Sequence, residues 1–228
     1  MWLIQQQAAY AMVTLTRWVA RTTMARIGLT GILAGILAGP LTLSSAVAQD
    51  VNSAPAVRLD AAFANELRAL VDVPLTHMAI GIQNARHAAL SQADIDALDT
   101  QWRAEREADD KPLIAATLMS PLSLHLLKVQ AASLGLFTEI FVMDAHGLNV
   151  GQSAVTSDYW QGDEAKFQKT YPVGPEAVFV DEAEYHEASG TWRAQVNLTV
   201  AAEDDAPIGA ATIEVNLTEL ARREALTN

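Results

Sequence analysis

Cysteine is absent from all 228 residues. Its absence excludes disulfides, thiol nucleophiles and thiolate metal sites together. Basic residues are scarce: 15 Lys and Arg stand against 27 Asp and Glu, for a net charge of −12. The first 48 residues hold Arg17, Arg21 and Arg26 and no acid, so the remainder carries 12 basic against 27 acidic residues. A surface that negative repels nucleic acid and anionic membranes, because phosphate neutralisation by Lys and Arg supplies most such binding. Catalytic signatures are missing as well. No Gly-x-Ser-x-Gly, Ser-x-x-Lys or His-Glu-x-x-His occurs. The only glycine-rich run, Gly28, Gly31, Gly35 and Gly39, sits in an apolar N-terminal stretch rather than a phosphate loop. His77, His87, His125, His146 and His186 include no pair at the four-residue spacing that puts two ligands on one helix face. The expectation is a chain that is not an enzyme and needs no metal or cofactor.

What is present begins with an export signal. Ile27 to Ala48 is apolar, is broken by Pro40 and ends in Ala46-Val47-Ala48, small residues that fit a cut after Ala48. Arg26 supplies the positive flank, and Met24 makes an ordinary start, so translation is expected to begin at Met1 or Met24. Residues 1–48 are therefore read as a signal peptide and the chain as periplasmic. An uncleaved inner-membrane anchor is the alternative, since about 20 apolar residues can span a bilayer. Residues 49–57 read as a disordered lead and 58–228 as a single domain, for which about 180 residues provide enough core without disulfides.

Periodicity then gives helices first. Phe63, Leu67, Leu70, Val71, Leu75 and Met78 recur at three- and four-residue steps, with Pro74 kinking or splitting the run. Ser91 and Asp94 form a capping box opening a second helix, whose apolar face is Ile95, Leu98 and Trp102. Glu105 to Lys111 reads as a charged exit. Ser120-Pro121 is an N-cap followed by an N1 proline, and Gly135 ends that third helix. Strand patterns follow at 140–143, 148–152, 177–180, 191–200 and 208–215, with a short helix at 165–169 and a closing one at 217–225. Helices followed by an antiparallel sheet make the class α+β.

Three stretches carry a family resemblance: Glu139-Ile-Phe-Val-Met-Asp-Ala-His-Gly-Leu-Asn-Val150, Thr156-Ser-Asp-Tyr-Trp-Gln-Gly-Asp-Glu-Ala-Lys166 and Pro207-Ile-Gly-Ala-Ala-Thr-Ile-Glu-Val-Asn216. With them residues 57–220 resemble the extracytoplasmic PAS-like sensor domains called Cache or PDC domains. The resemblance implies N-terminal helices followed by a five-stranded antiparallel sheet. It also implies a ligand pocket over one sheet face, closed by the loop and helix after the second strand. On this sequence it points to Tyr159, Trp160 and Lys166, with Asp181 and Gln195 facing the same pocket. Such sensors are joined to a membrane helix and a signalling output. None follows here, so a separate membrane-bound signalling partner is expected. The long N-terminal helices of such domains pair, which raises a homodimer.

The residues of the 156–166 loop suggest the same site directly. Tyr159 and Trp160 offer flat walls, while Asp158, Asp163, Glu164 and Lys166 offer charges for a small zwitterion or carboxylate. In the alternative reading, the aromatics plug the sheet face and Asp163 caps the next helix. The expected function is a non-catalytic sensor for a small polar metabolite, a carboxylate or amino acid. The competing expectation is an exported interaction module without a small-molecule ligand.

Overall fold

Two local breaks set the helical layer. Pro74 lacks the amide hydrogen that would continue the first helix, so the run divides into α1 (Ala61–Val71), capped by the Asp60 carboxylate on the Phe63 amide, and α2 (Pro74–His87). The computed structural model describes residues 53–227. The expected signal peptide, its cut after Ala48 and residues 49–52 of the lead lie outside the described residues. Val57, at the end of that lead, packs against the core. Residues Ala54–Arg223 form one compact unit.

The capping box at Ser91 and Asp94 opens α3 (Gln92–Glu107). A further helix that the sequence did not announce, α4 (Pro112–Leu118), follows the charged exit of 105–111. Its N-terminus is held by Glu105, whose buried carboxylate accepts the Ile114 amide at 2.9 Å and the Gln101 side chain at 2.7 Å. α5 (Pro121–Ala132) follows, with Ser120 as its N-cap.

The sheet has strands β1 (Phe137–Met143), β2 (Asn149–Gln152), β3 (Val178–Val180), β4 (Glu184–His186), β5 (Thr191–Ala201) and β6 (Pro207–Asn216), all antiparallel. Their order is β2-β1-β6-β5-β3, with β4 also pairing β5. The five expected strands are there, and β4 is an addition. Between β2 and β3 lies α6 (Ala165–Gln168), and α7 (Leu217–Thr227) closes the chain.

Strand alternation divides the side chains between two faces. Ile140, Val142, Val196, Leu198, Ala211 and Ile213 meet Leu67, Val71, Ile80, Leu122 and Leu126 of the helices, forming the main core. The apolar face of α1 is thus used inside the domain as a sheet cover. On the opposite face, Phe141, Met143 and Ala210 meet Phe167 of α6, with Tyr171 stacked on Phe167 at 5.1 Å. α6 therefore roofs a second, more polar side of the same sheet.

Asp144, fully buried in the β1–β2 turn, ties that turn to α2. One of its oxygens accepts the His146 and Leu148 amides; the other accepts the Gln83 amide at 3.0 Å and faces His87 Nδ1 at 2.8 Å. The turn needs glycine at 147, where φ is +81° and any Cβ would sit 2.6 Å from Gly162 of the following loop.

Candidate functional site

The 156–166 stretch splits into two parts with opposite character. Its first part is bolted to α3. Asp99, only 8% exposed, accepts both the Tyr159 and Trp160 amides on Oδ1, at 2.9 and 3.1 Å. Arg103 bridges Asp99 (2.7 Å) and Asp158 (2.8 Å). The Tyr159 ring stacks on the buried Trp102 at 5.2 Å, within a cluster that includes Ile95, Ile114 and Leu148. Burial in that apolar cluster, with Asp144 nearby, pushes the Tyr159 phenol up to about 12. The Trp160 indole donates to the His146 carbonyl at 2.8 Å, and its backbone bridges Leu148. Asp158, Tyr159 and Trp160 thus form a plug between α3 and the edge of the sheet.

The second part faces a cavity. Lys166 of α6, with Asp181, Gln195, Arg193 and Glu214, lines a space of about 240 Å³ beside the polar sheet face. Glu164, Glu182, Glu184 and Ala194 complete the lining. Of the six residues expected at a ligand site, Lys166, Asp181 and Gln195 come together here; Asp158, Tyr159 and Trp160 do not.

Period-two spacing on β5 puts Arg193 and Gln195 on one face, and Glu214 pairs Gln195 in register on β6. The lining cations are both engaged. Lys166 Nζ lies 3.0 Å from Glu164, donates to Gln161 at 3.2 Å and stands 5.5 Å from the Phe141 ring centroid. Arg193 meets Glu214 at 2.9 Å and Ser189 at 3.0 Å. The Thr138 hydroxyl also donates to Glu214.

Glu139 stands directly across from Glu214 in the β1–β6 register. Burial, and then the like charge of Glu214, push the Glu139 carboxyl up to about 7 despite Lys166 and Arg193 nearby. Asp181 is half-buried and uses one oxygen on the Glu182 amide. Among the described residues, the Gln195 side chain has no hydrogen-bond partner and Asp181, Glu182 and Glu184 have no ion pair. No three His, Asp or Glu gather as for a metal among the described residues.

The sequence missed Arg193, Glu214 and Glu139 because their convergence depends on register across three strands. Glu184 reads in the sequence as part of an exposed acidic turn and is instead the first residue of β4. Asp163 was read as a possible cap, but the N-cap of α6 is Glu164, which makes no side-chain cap bond and turns to Lys166 instead.

No protein-family model matches this chain, and no curated protein matches it. Several solved structures are similar to it. The sensory domain of the Campylobacter jejuni chemoreceptor Tlp3 is 9% identical, with a TM-score of 0.36. The ligand-binding domain of the Pseudomonas aeruginosa amino acid chemoreceptor PctC, in complex with GABA, is 15% identical at TM-score 0.33. Each comparison covers 71% of this chain and 64% of the receptor domain, so the chain spans less than two thirds of either. The sensor domain of Escherichia coli DcuS is 19% identical at TM-score 0.35, covering 57% of this chain and 96% of that one.

Proposed function

We propose that this chain is a non-catalytic, exported sensor domain that holds a small polar metabolite in the cavity between α6 and the β5–β6 face. The observation that carries this reading is the convergence of Lys166, Asp181 and Gln195 on one cavity from three separate elements. A volume of about 240 Å³, below the usual range of ligand pockets, limits any occupant to a small metabolite. Of the two classes expected from the sequence, carboxylate and amino acid, the amino acid fits better a cavity that holds both signs of charge. The Cache-like stretches described above favour the same role, with periplasmic placement following from the signal-like segment before Ala48.

A route for the signal runs from the cavity to the helices. Lys166 bonds Gln161, Gln161 donates to the Asp158 carbonyl at 2.9 Å, and the Asp158 carboxylate meets Arg103 of α3. Ligand that recruits Lys166 or its partner Glu164 would load this path and shift α3, for a separate membrane-bound partner to read. A thermal-shift screen of the purified chain against amino acids, amines and organic acids tests the reading. A ligand at 100 times its dissociation constant adds about 2.7 kcal/mol of stability. Filling the cavity with Gln195→Phe should erase any hit; a hit that survives it would place the ligand elsewhere.

A second reading, a protein-interaction module, has its own observation. α2 exposes Met78 and Ile82, and α5 exposes Leu124 and Leu127, each at three- or four-residue spacing. Under that reading, or for a homodimer, these faces would be the contact surface. A stable co-purifying protein and no thermal shift with any metabolite would favour it.

A further inference from the structure

We propose that the outer face of α2 and α5 is a docking surface for a bilayer that carries anionic lipid, separate from the cavity. A surface helix ordinarily turns a polar side to solvent, as α3 does with Asp94, Asp96, Arg103 and Glu107. α5 does not. Leu122 and Leu126 face the core, yet Leu124 and Leu127 are 49% and 48% exposed, with Ala131 one turn further on. α2 packs beside α5 and repeats the pattern: Ile80 is buried, while Met78, Ile82, Ala85 and Ala89 follow one another on the solvent side. Met119, between α4 and α5, is 76% exposed.

A helix that is apolar on every side belongs in a core or a membrane, so an outer face of this kind calls for a cover. Composition points to lipid as well. α4 and α5, bent by 65° where they meet, are together long and apolar enough for a broken membrane span. Their inner side is already used in the protein core, which leaves the outer side to lie on a bilayer rather than across it.

Charge decides between lipid and a second copy of the chain. All 27 acids lie beyond residue 48, yet none falls at 73–93 or 111–138, the stretches that build this face. Arg86 and Lys128 are exposed there. The acids of α3 lie outside those stretches, on a helix that packs against α4. The domain's net charge therefore opposes membrane binding as an average, while at physiological ionic strength charges more than about 8 Å away are largely screened. A two-fold contact would press this patch against its own copy and so oppose like charges. Anionic headgroups supply the opposite sign, and aliphatic side chains flanked by Lys and Arg suit a helix lying in the bilayer interface.

The test uses residues 49–228, because Ala54–Arg223 form one compact unit and the apolar Ile27–Ala48 stretch would bind lipid by itself. This domain should sediment with vesicles of equal phosphatidylglycerol and phosphatidylcholine, and more weakly with phosphatidylcholine alone. Leu124→Glu combined with Leu127→Glu should abolish sedimentation. Lys128→Ala should weaken it about fivefold, and it reads the same face should the double variant fold poorly. All three side chains are exposed, so both variants should melt like the parent. A parent that stays in the supernatant, or a double variant that still sediments, would overturn the proposal. Equal binding to phosphatidylcholine vesicles would overturn the headgroup assignment. A dimer in sedimentation velocity that the double variant dissolves, with no vesicle binding, would give the face to a second copy instead.

Discussion

Within one stretch of eleven residues, 156–166, the two halves meet opposite fates. The Tyr159–Trp160 half has every attractive feature of a binding wall, yet its groups are satisfied inside the protein: amides on Asp99, indole on His146, phenol ring on Trp102. The Lys166 half and the strands beneath it look plainer, yet there Gln195 and Asp181 keep capacity to spare around a cavity. The contrast teaches that attractive residue types do not by themselves leave binding capacity, because the fold can supply every partner internally.

The comparison can be broken first at the plug. Trp102 is fully buried, stacks on Tyr159 and donates its indole hydrogen to the Thr156 carbonyl at 3.0 Å. Trp102→Ala should cost about 3–5 kcal/mol by denaturant melt. Asp99→Ala strands two amides that are now capped and should cost about 2–4 kcal/mol. If either variant were nearly neutral, the loop would not be bolted to α3 as described.

The cavity side predicts a pH effect instead. Because Glu139 holds its proton more tightly folded than unfolded, the native state binds more protons between pH 4.5 and 7. Stability should therefore fall as pH rises through that window, by on the order of 1–3 kcal/mol, and Glu139→Gln should flatten the slope. An unchanged slope in the variant would remove Glu139 from the electrostatics of the site. Trp160→Phe, which deletes only the indole donor, should cost about 1 kcal/mol.

Glu219 on α7 gives the smallest effect and the opposite sign. Arg222 at 2.7 Å, joined by Arg223, holds its carboxyl down to about 2. Its contribution is present above pH 4.5 and is lost as pH falls toward 2, and Glu219→Gln should cost less than about 1 kcal/mol at pH 7. A gain of stability in this variant would contradict the pairing.

Much of the framework was legible in the sequence because its signals are local. The Ser91–Asp94 box, Ser120-Pro121 and the alternating strands at β5 and β6 each announce themselves within a few residues. α4 was not legible: Pro-Leu-Ile-Ala-Ala-Thr-Leu has no polar face to set a period, and its cap, Glu105, lies nine residues from the amide that it holds. β4 is three polar residues that become a strand only by pairing with β5. The site divides the same way. Lys166, Asp181 and Gln195 were named through the family resemblance. Arg193, Glu214 and Glu139 gather only once β1, β6 and β5 are in register.

The most direct measurement takes whichever metabolite stabilises the parent chain and titrates it into two variants, Gln195→Phe and Trp160→Phe. Affinity should disappear in the first and persist in the second, because one fills the cavity and the other touches only the plug. Loss of binding in Trp160→Phe with full binding in Gln195→Phe would contradict the cavity and return the site to the aromatic loop.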